Sequence, residues 1–247
     1  MPTLRAVSSD RLISSLDALA ALDAEDPLIL ANIMVRTDNH PVGSILLQQG
    51  QSITGPRLLV SGWACQTRTL VNGQRQIFAI VLPGDFIGMC WLPNPVALSS
   101  TVALTAVRTS DASVLLSAIR GGHFVRSGLR EALTLKSRHD EMRLMDHVVR
   151  LGRQSALARM ASFVLDLHLR LRQVGLADER VMPFPLTQET LSGVLGLSLV
   201  HVNRTLQILR KDGLVHIGSG SLVLLDRLGL CAVSDFGAML RPLNGAL

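Results

Sequence analysis

The spacing of apolar residues changes character along the chain. Over residues 8–35, Leu12, Leu16, Leu19 and Leu22 recur at steps of three and four, which predicts amphipathic helix. From His40 the texture shifts to short apolar runs cut by glycine and proline: Pro41-Val-Gly43, Gly50, Gly55-Pro56, Gly62, Gly73, Pro83-Gly84 and Gly88. Such punctuation predicts an antiparallel domain of short strands. Val71-Asn72-Gly73-Gln74 predicts a type I′ hairpin turn joining strands 63–70 and 75–82, and Pro83-Gly84 a type II turn. Further strands are expected at 100–107 and 112–116, closed by Gly121-Gly122. Residues 123–150 then read as one long helix with apolar positions Leu129, Leu133, Met142, Met145 and Val149, flanked by Leu144 and Val148, and Gly152 marks a break. A second helix is expected at 155–173, capped by Ser155.

Residues 185–226 carry the sharpest local pattern. Thr187 is placed to cap a short helix 188–195, with Glu189 in its first turn, and Gly196 ends it. Ser198 is placed to cap a second helix, 199–211. On that helix Val202, Leu206 and Leu209 share one face, leaving Val200, Asn203, Arg204 and Gln207 outward. Asp212-Gly213 stops it, and 214–217 and 221–225 flank Gly218-Ser219-Gly220 as a hairpin wing. This is the layout of a winged helix-turn-helix, whose second helix enters a DNA major groove.

Composition narrows the function classes. Aromatic residues make up 3% of the 247-residue chain and tyrosine is absent, which argues against a single-strand binder built on stacked aromatics. Of the 24 basic residues only Lys136 and Lys211 are lysines; the rest are arginine, the cation that forks onto carboxylates, phosphates and guanine. Residues 120–172 hold 11 basic and 5 acidic residues, so the excess charge sits in the middle of the chain. No apolar run approaches the ~20 residues of a membrane span, and Asp10 and Asp17 interrupt any signal-peptide pattern, so a cytoplasmic protein with no membrane partner is expected. Cys65, Cys90 and Cys231 show no zinc or CxxC spacing and read as free thiols, Cys65 and Cys90 being candidates for redox chemistry. No nucleophile, phosphate-loop, dinucleotide or HExxH motif occurs, so no catalytic residue and no metal site is assigned. Trp63, Phe78, Phe86 and Trp91 are expected in the core of the β region.

Taken in order, Pro41-Val-Gly43, Gln49-Gly50, Val60-Ser-Gly62, Asn72-Gly73 and Leu82-Pro-Gly-Asp-Phe-Ile-Gly88, followed by Leu186-Thr-Gln-Glu, Leu195-Gly-Leu-Ser198, His201-Val-Asn-Arg204 and Leu209-Arg-Lys-Asp-Gly-Leu214, resemble the CRP/FNR family of bacterial transcription regulators. The resemblance covers about 40 to 228. It implies an α+β fold: an antiparallel β-roll like a cyclic-nucleotide-binding domain, a long dimerisation helix and a C-terminal winged helix-turn-helix. The expected divisions are 1–122 for N-terminal helices and β-roll, 123–151 for the dimerisation helix, 152–228 for the winged helix-turn-helix and 229–247 for a C-terminal helix or tail.

It implies a homodimer on palindromic double-stranded DNA, with RNA polymerase as a further partner. Base reading falls to Arg204, Asn203 and Val200, and phosphate contact to Thr187, Ser198 and His201. Val200 stands where the family usually has glutamate. The effector pocket falls at Gly84, Asp85, Ser99 and Ser100. The family's nucleotide binders carry an arginine for the cyclic phosphate, yet no Arg or Lys occurs between Gly84 and Arg108. A desolvated phosphate without a guanidinium is poorly compensated by hydroxyls. No cofactor is therefore predicted, a cyclic-nucleotide effector is not expected, and the iron–sulfur cysteine cluster of other members has no counterpart before Cys65.

Overall fold

The computed structural model describes residues 5–73, 75–116 and 127–234. The chain forms two compact units, one ending at Met142 and the other beginning at Arg143.

In the first unit the N-terminal helical stretch is two helices, α1 (Ser9–Asp17) and α2 (Asp26–Ile33). Local carboxylates divide it. Asp17 Oδ1 accepts from the Leu22 amide at 3.0 Å, Asp26 Oδ2 accepts from the Asp23 amide at 2.9 Å, and Pro27 opens α2. The β-roll follows as strands β1 (Asp38–His40), β2 (Ile45–Leu47), β3 (Arg57–Ser61), β4 (Ala64–Thr69), β5 (Arg75–Val81), β6 (Phe86–Ile87), β7 (Ser100–Ala103) and β8 (Val107–Asp111). They pair antiparallel as two sheets, in the orders β1-β8-β3-β6 and β2-β7-β4-β5. Leu59, Ile87 and Val107 of one sheet pack against Leu46, Ala64, Val81 and Ala103 of the other. Trp63 is fully buried, Phe78 and Phe86 are half-buried, and Trp91 is exposed, against the expectation for it.

The β4–β5 hairpin forms as expected, but its turn differs. Gly73 has φ +81° while Asn72 keeps negative φ, and the Gly73 amide donates to Leu70 O at 2.9 Å. The loop is therefore a turn over Leu70–Gly73 with the left-handed residue last, not type I′; Gln74 lies outside the described residues. Leu82-Pro83-Gly84-Asp85 is the expected type II turn, with Gly84 at φ +94° and the Asp85 amide 2.9 Å from Leu82 O. The last strand ends at Asp111 instead of occupying 112–116. There the Asp111 carboxylate accepts from the Ser113 amide and hydroxyl at 2.8 and 2.6 Å and turns the chain out of the sheet. The Gly121-Gly122 closure lies outside the described residues.

The long helix α3 spans Ser127–Arg153; the expected start at 123 lies outside the described residues. Gly152 does not break it. This glycine is exposed and open on all sides, and the helix ends at the Gln154-Ser155 cap instead. Leu129, Ala132 and Leu133 are buried within the first unit. Lys136 Nζ pairs with Asp85 Oδ1 at 3.0 Å, joining α3 to the Pro-Gly turn. Farther along, Leu144, Met145, Val148 and Val149 are 49–63% exposed and together form an apolar face open to solvent.

In the second unit α4 (Ala156–Gln173) is capped by Ser155, whose Oγ accepts from the Ala158 amide. Its buried face includes Met160, Ala161, Val164, Leu165, Leu167 and Leu171. Then come β9 (Val181–Pro183), α5 (Gln188–Leu195), α6 (Leu199–Lys211), β10 (Val215–Gly218), β11 (Ser221–Leu224) and α7 (Arg227–Val233). The wing is three-stranded, β10-β11-β9, and its tip is Ser219-Gly220, both at positive φ as a type I′ turn requires. The expected tail beyond Ser234 lies outside the described residues. No helix among them is long and apolar enough to cross a membrane.

Two buried titratable groups respond to this packing in testable ways. Burial pushes the Cys65 thiol up to about 11, against smaller opposing effects of Arg75 and a Val102 hydrogen bond. At neutral pH roughly one thiol in ten thousand is then thiolate, so Cys65 is a poor redox nucleophile. Iodoacetamide should leave Cys65 unlabelled in the folded chain and label it in guanidinium; prompt labelling of the native thiol would refute this. His168 is held below its ordinary 6.5, first by burial, against the hydrogen bond it donates from Nε2 to Asp178 O at 2.9 Å. A depressed imidazole pKa means the unfolded chain takes up the proton first. The stabilisation is complete above 6.5 and is lost as pH falls through the folded value. His168→Gln should flatten the fall in thermal midpoint from roughly pH 7 to pH 5, and an unchanged slope would assign that fall to other groups.

Candidate nucleic-acid interface

The helix-turn-helix is built from local chemistry. Thr187 Oγ1 accepts from the Thr190 amide at 3.1 Å and starts α5. Leu191, Val194 and Leu195 are buried beneath it. Gly196 ends the helix at φ +61°, a left-handed conformation that a side chain would strain. Ser192 holds the turn: its backbone carbonyl accepts from the Gly196 and Leu197 amides at 3.0 and 3.3 Å, while its hydroxyl donates to Leu197 O. Periodicity gave no sign of this role, because Ser192 is one polar residue on a short helix. Ser198 then caps α6, its Oγ accepting from the His201 amide at 3.3 Å.

The predicted contact residues share the exposed side of α6 and the two caps. Val200 is 76% exposed; Asn203, Arg204 and Gln207 are exposed, while Val202, Leu206 and Leu209 are buried. Neither Asn203 nor Arg204 bonds through its side chain to a described residue, so both are available to an outside partner. Thr187 and Ser198, both exposed, mark the N-terminal ends of the two helices, where free amides and the helix dipole favour anions. His201 is exposed, and its Nδ1 lies 2.9 Å from Ser198 Oγ, which fixes the ring against the cap. Arg210 and Lys211 occupy the last turn of α6, where their charge suits the dipole.

The predicted pocket residues are placed differently. The Gly84 amide donates to Leu59 O at 2.8 Å and the Leu59 amide donates to Asp85 O at 2.9 Å. Asp85 Oδ2 accepts from the Leu82 amide at 2.9 Å, and Oδ1 pairs with Lys136. Its carboxylate is thus engaged in the turn and the long helix. Ser100 Oγ accepts from the Gln49 amide at 3.0 Å, and Ser99 is half-buried beside it. Arg68 reaches this segment from β4, its Nε donating to Leu98 O at 2.8 Å.

Comparison with known proteins agrees with this arrangement. The family profile of the Crp-like helix-turn-helix domain matches residues 158–233, and that of the cyclic nucleotide-binding domain matches 38–113. The nitrogen fixation regulation protein FixK of Azorhizobium caulinodans is 31% identical over 178 residues, covering 70% of this chain and 68% of that protein. The chain belongs to the CRP/FNR family of transcription regulators. Another CRP/FNR relative, the transcriptional activator protein FnrL of Cereibacter sphaeroides, is 26% identical over 243 residues, covering 92% of this chain and 91% of that one. The solved structure of FixK2 from Bradyrhizobium japonicum superposes with a TM-score of 0.67 at 26% identity, over 81% of this chain and 96% of that one. CRP/FNR proteins are regulators and not enzymes, which agrees with the lack of a catalytic motif.

Proposed function

We propose that this regulator binds a palindromic promoter site as a symmetric homodimer, without a cyclic-nucleotide effector in the usual pocket. The observation that carries the dimer is the apolar face of Leu144, Met145, Val148 and Val149 on α3, exposed in the single chain. Two-fold pairing along this face buries it and sets two α6 helices about one DNA turn apart, ~34 Å. Arg204, Asn203 and Val200 read base edges, Arg204 favouring guanine O6 and N7. Thr187, Ser198 and His201 contact phosphates. Binding promoter DNA fits a cytoplasmic location, with RNA polymerase as the partner that receives the output.

No Arg or Lys occurs in the sequence between Gly84 and Arg108, Arg68 is engaged through Nε with Leu98 O, and Asp85 is paired with Lys136, so the effector reading has these three supports. Millimolar cyclic AMP or cyclic GMP should give no calorimetric binding and no change in DNA affinity; tight binding in the β-roll would overturn this part. For the DNA reading, selection from random duplexes should return a palindrome whose affinity falls steeply with salt, as phosphate contacts release counterions. Selection that enriches no motif would refute it.

A further inference from the structure

One guanidinium joins the end of the long helix to the turn of the helix-turn-helix. Arg159 lies in the first turn of α4 and is half-buried. Its Nε donates to Gln154 O at 2.9 Å, and its Nη1 donates to Leu195 O at 3.0 Å. Gln154 directly follows α3, and Leu195 is the last residue of α5, so the acceptors sit at two helix C-termini. Carbonyls there lack intrahelical partners and carry the negative end of each dipole. A planar guanidinium satisfies both at once with donors in a rigid fork, whereas an ammonium's three donors rotate on a flexible stem and hold two acceptors less firmly.

Leu151, at the end of α3, lies close to the same turn: a Cβ built on Gly196 would sit 3.2 Å from Leu151 Cδ2 and 3.7 Å from Arg159 Nη1. Gln154 is itself buried, with Oε1 accepting from Ser162 Oγ at 2.9 Å, so the acceptor carbonyl belongs to an anchored residue. Arg159 neither lies on the exposed face of α6 nor fills the apolar core; its described bonds are those two carbonyls.

We propose that Arg159 is a positioning residue that fixes the angle between the C-terminal part of α3 and the recognition helix, and thereby sets which half-site spacing the dimer accepts. This rests on the proposed dimeric DNA reading. In a two-fold dimer paired along α3, that angle determines where each α6 meets the duplex. One inserted base pair moves a half-site by about 3.4 Å and turns it by roughly 35°. A dimer with rigid joints rejects that displacement, whereas loosened joints accommodate it. Base readout within each half-site stays the same, because Arg204 and Asn203 are untouched.

The test measures the full-length wild type, Arg159→Gln and Arg159→Lys against palindromes with the selected spacer, one base pair more and one fewer, and against a single half-site duplex. Wild type should lose about tenfold or more on either altered spacer. Arg159→Gln should compress that difference to about threefold or less while keeping the same half-site motif and single half-site affinity, and Arg159→Lys should fall between. Undiminished spacer discrimination in folded Arg159→Gln overturns the inference, and so does an equal loss of affinity on all four duplexes, which is the mark of a purely structural cap. Should Arg159→Gln fail to fold, Leu151→Ala trims the side chain beside Gly196 and must show the same relaxation for the inference to stand. A wild type that binds no palindrome overturns the DNA reading instead, and one that binds every spacer equally overturns the inference alone.

Discussion

Replacing Arg204 by alanine should erase the guanine preference from the selected half-site while leaving the fold intact. Arg204 is exposed on α6 and its side chain makes no hydrogen bond or ion pair with a described residue, so truncation removes no internal polar contact. A bidentate arginine–guanine pair contributes about 1–3 kcal/mol of discrimination, which Arg204→Ala should lose at that base pair. Selection from random DNA with both proteins checks this; identical motifs would reassign Arg204 to phosphate. The neighbouring base pair should already be relaxed or altered in the wild type. Val200 presents an apolar side chain, 76% exposed, which can only pack on a thymine methyl or leave the position unread, because it cannot accept from cytosine N4.

Met145→Asp should separate the dimer and abolish tight DNA binding together. Met145 is 59% exposed in the single chain, so the charge is harmless there. At a two-fold interface the substitution appears twice in one apolar seam, and each carboxylate loses solvent without gaining a cation. Desolvating unpaired charges costs several kcal/mol, enough to raise the dimer dissociation constant by about a hundredfold or more. Sedimentation and gel shift on the same preparation read both effects. Leu133→Asp is the contrasting control: Leu133 is buried at 1% exposure inside the first unit, so that variant should lose thermal stability instead. A Met145→Asp chain that remains dimeric at micromolar concentration would move the interface away from this face.

The helix-turn-helix was legible because its signals are local. Thr187, Ser198 and Gly196 each act on amides within five residues, and the structure finds each in the role its residue type implies. The wing followed from Gly218-Ser219-Gly220, though β9 was missed: three residues ending in Pro183 carry no period. Signals with two local solutions misled. Asn72-Gly73 fits a type I′ turn, but it also fits a turn with one more residue, and the pairing of Thr69 with Arg75 selects the longer loop. Gly152 resembled a break, yet an exposed glycine in a last helical turn is tolerated. The partial apolar stripe on α3 concealed two environments, with Leu129 and Leu133 buried in the first unit and Met145, Val148 and Val149 exposed. Contacts distant in sequence left no trace: Lys136 with Asp85, and Arg159 with Leu195, are pairings that only the folded backbone brings together.

In the proposed dimer, the face of Leu144, Met145, Val148 and Val149 also makes the amount of protein a regulatory quantity. A site that requires two chains fills, below the dimer dissociation constant, with the square of the monomer concentration. Doubling synthesis then raises occupancy up to about fourfold, and halving it lowers occupancy to about a quarter, by mass action alone. A regulator that pairs through this face would turn a change in its own expression into a steeper change at its promoters by mass action.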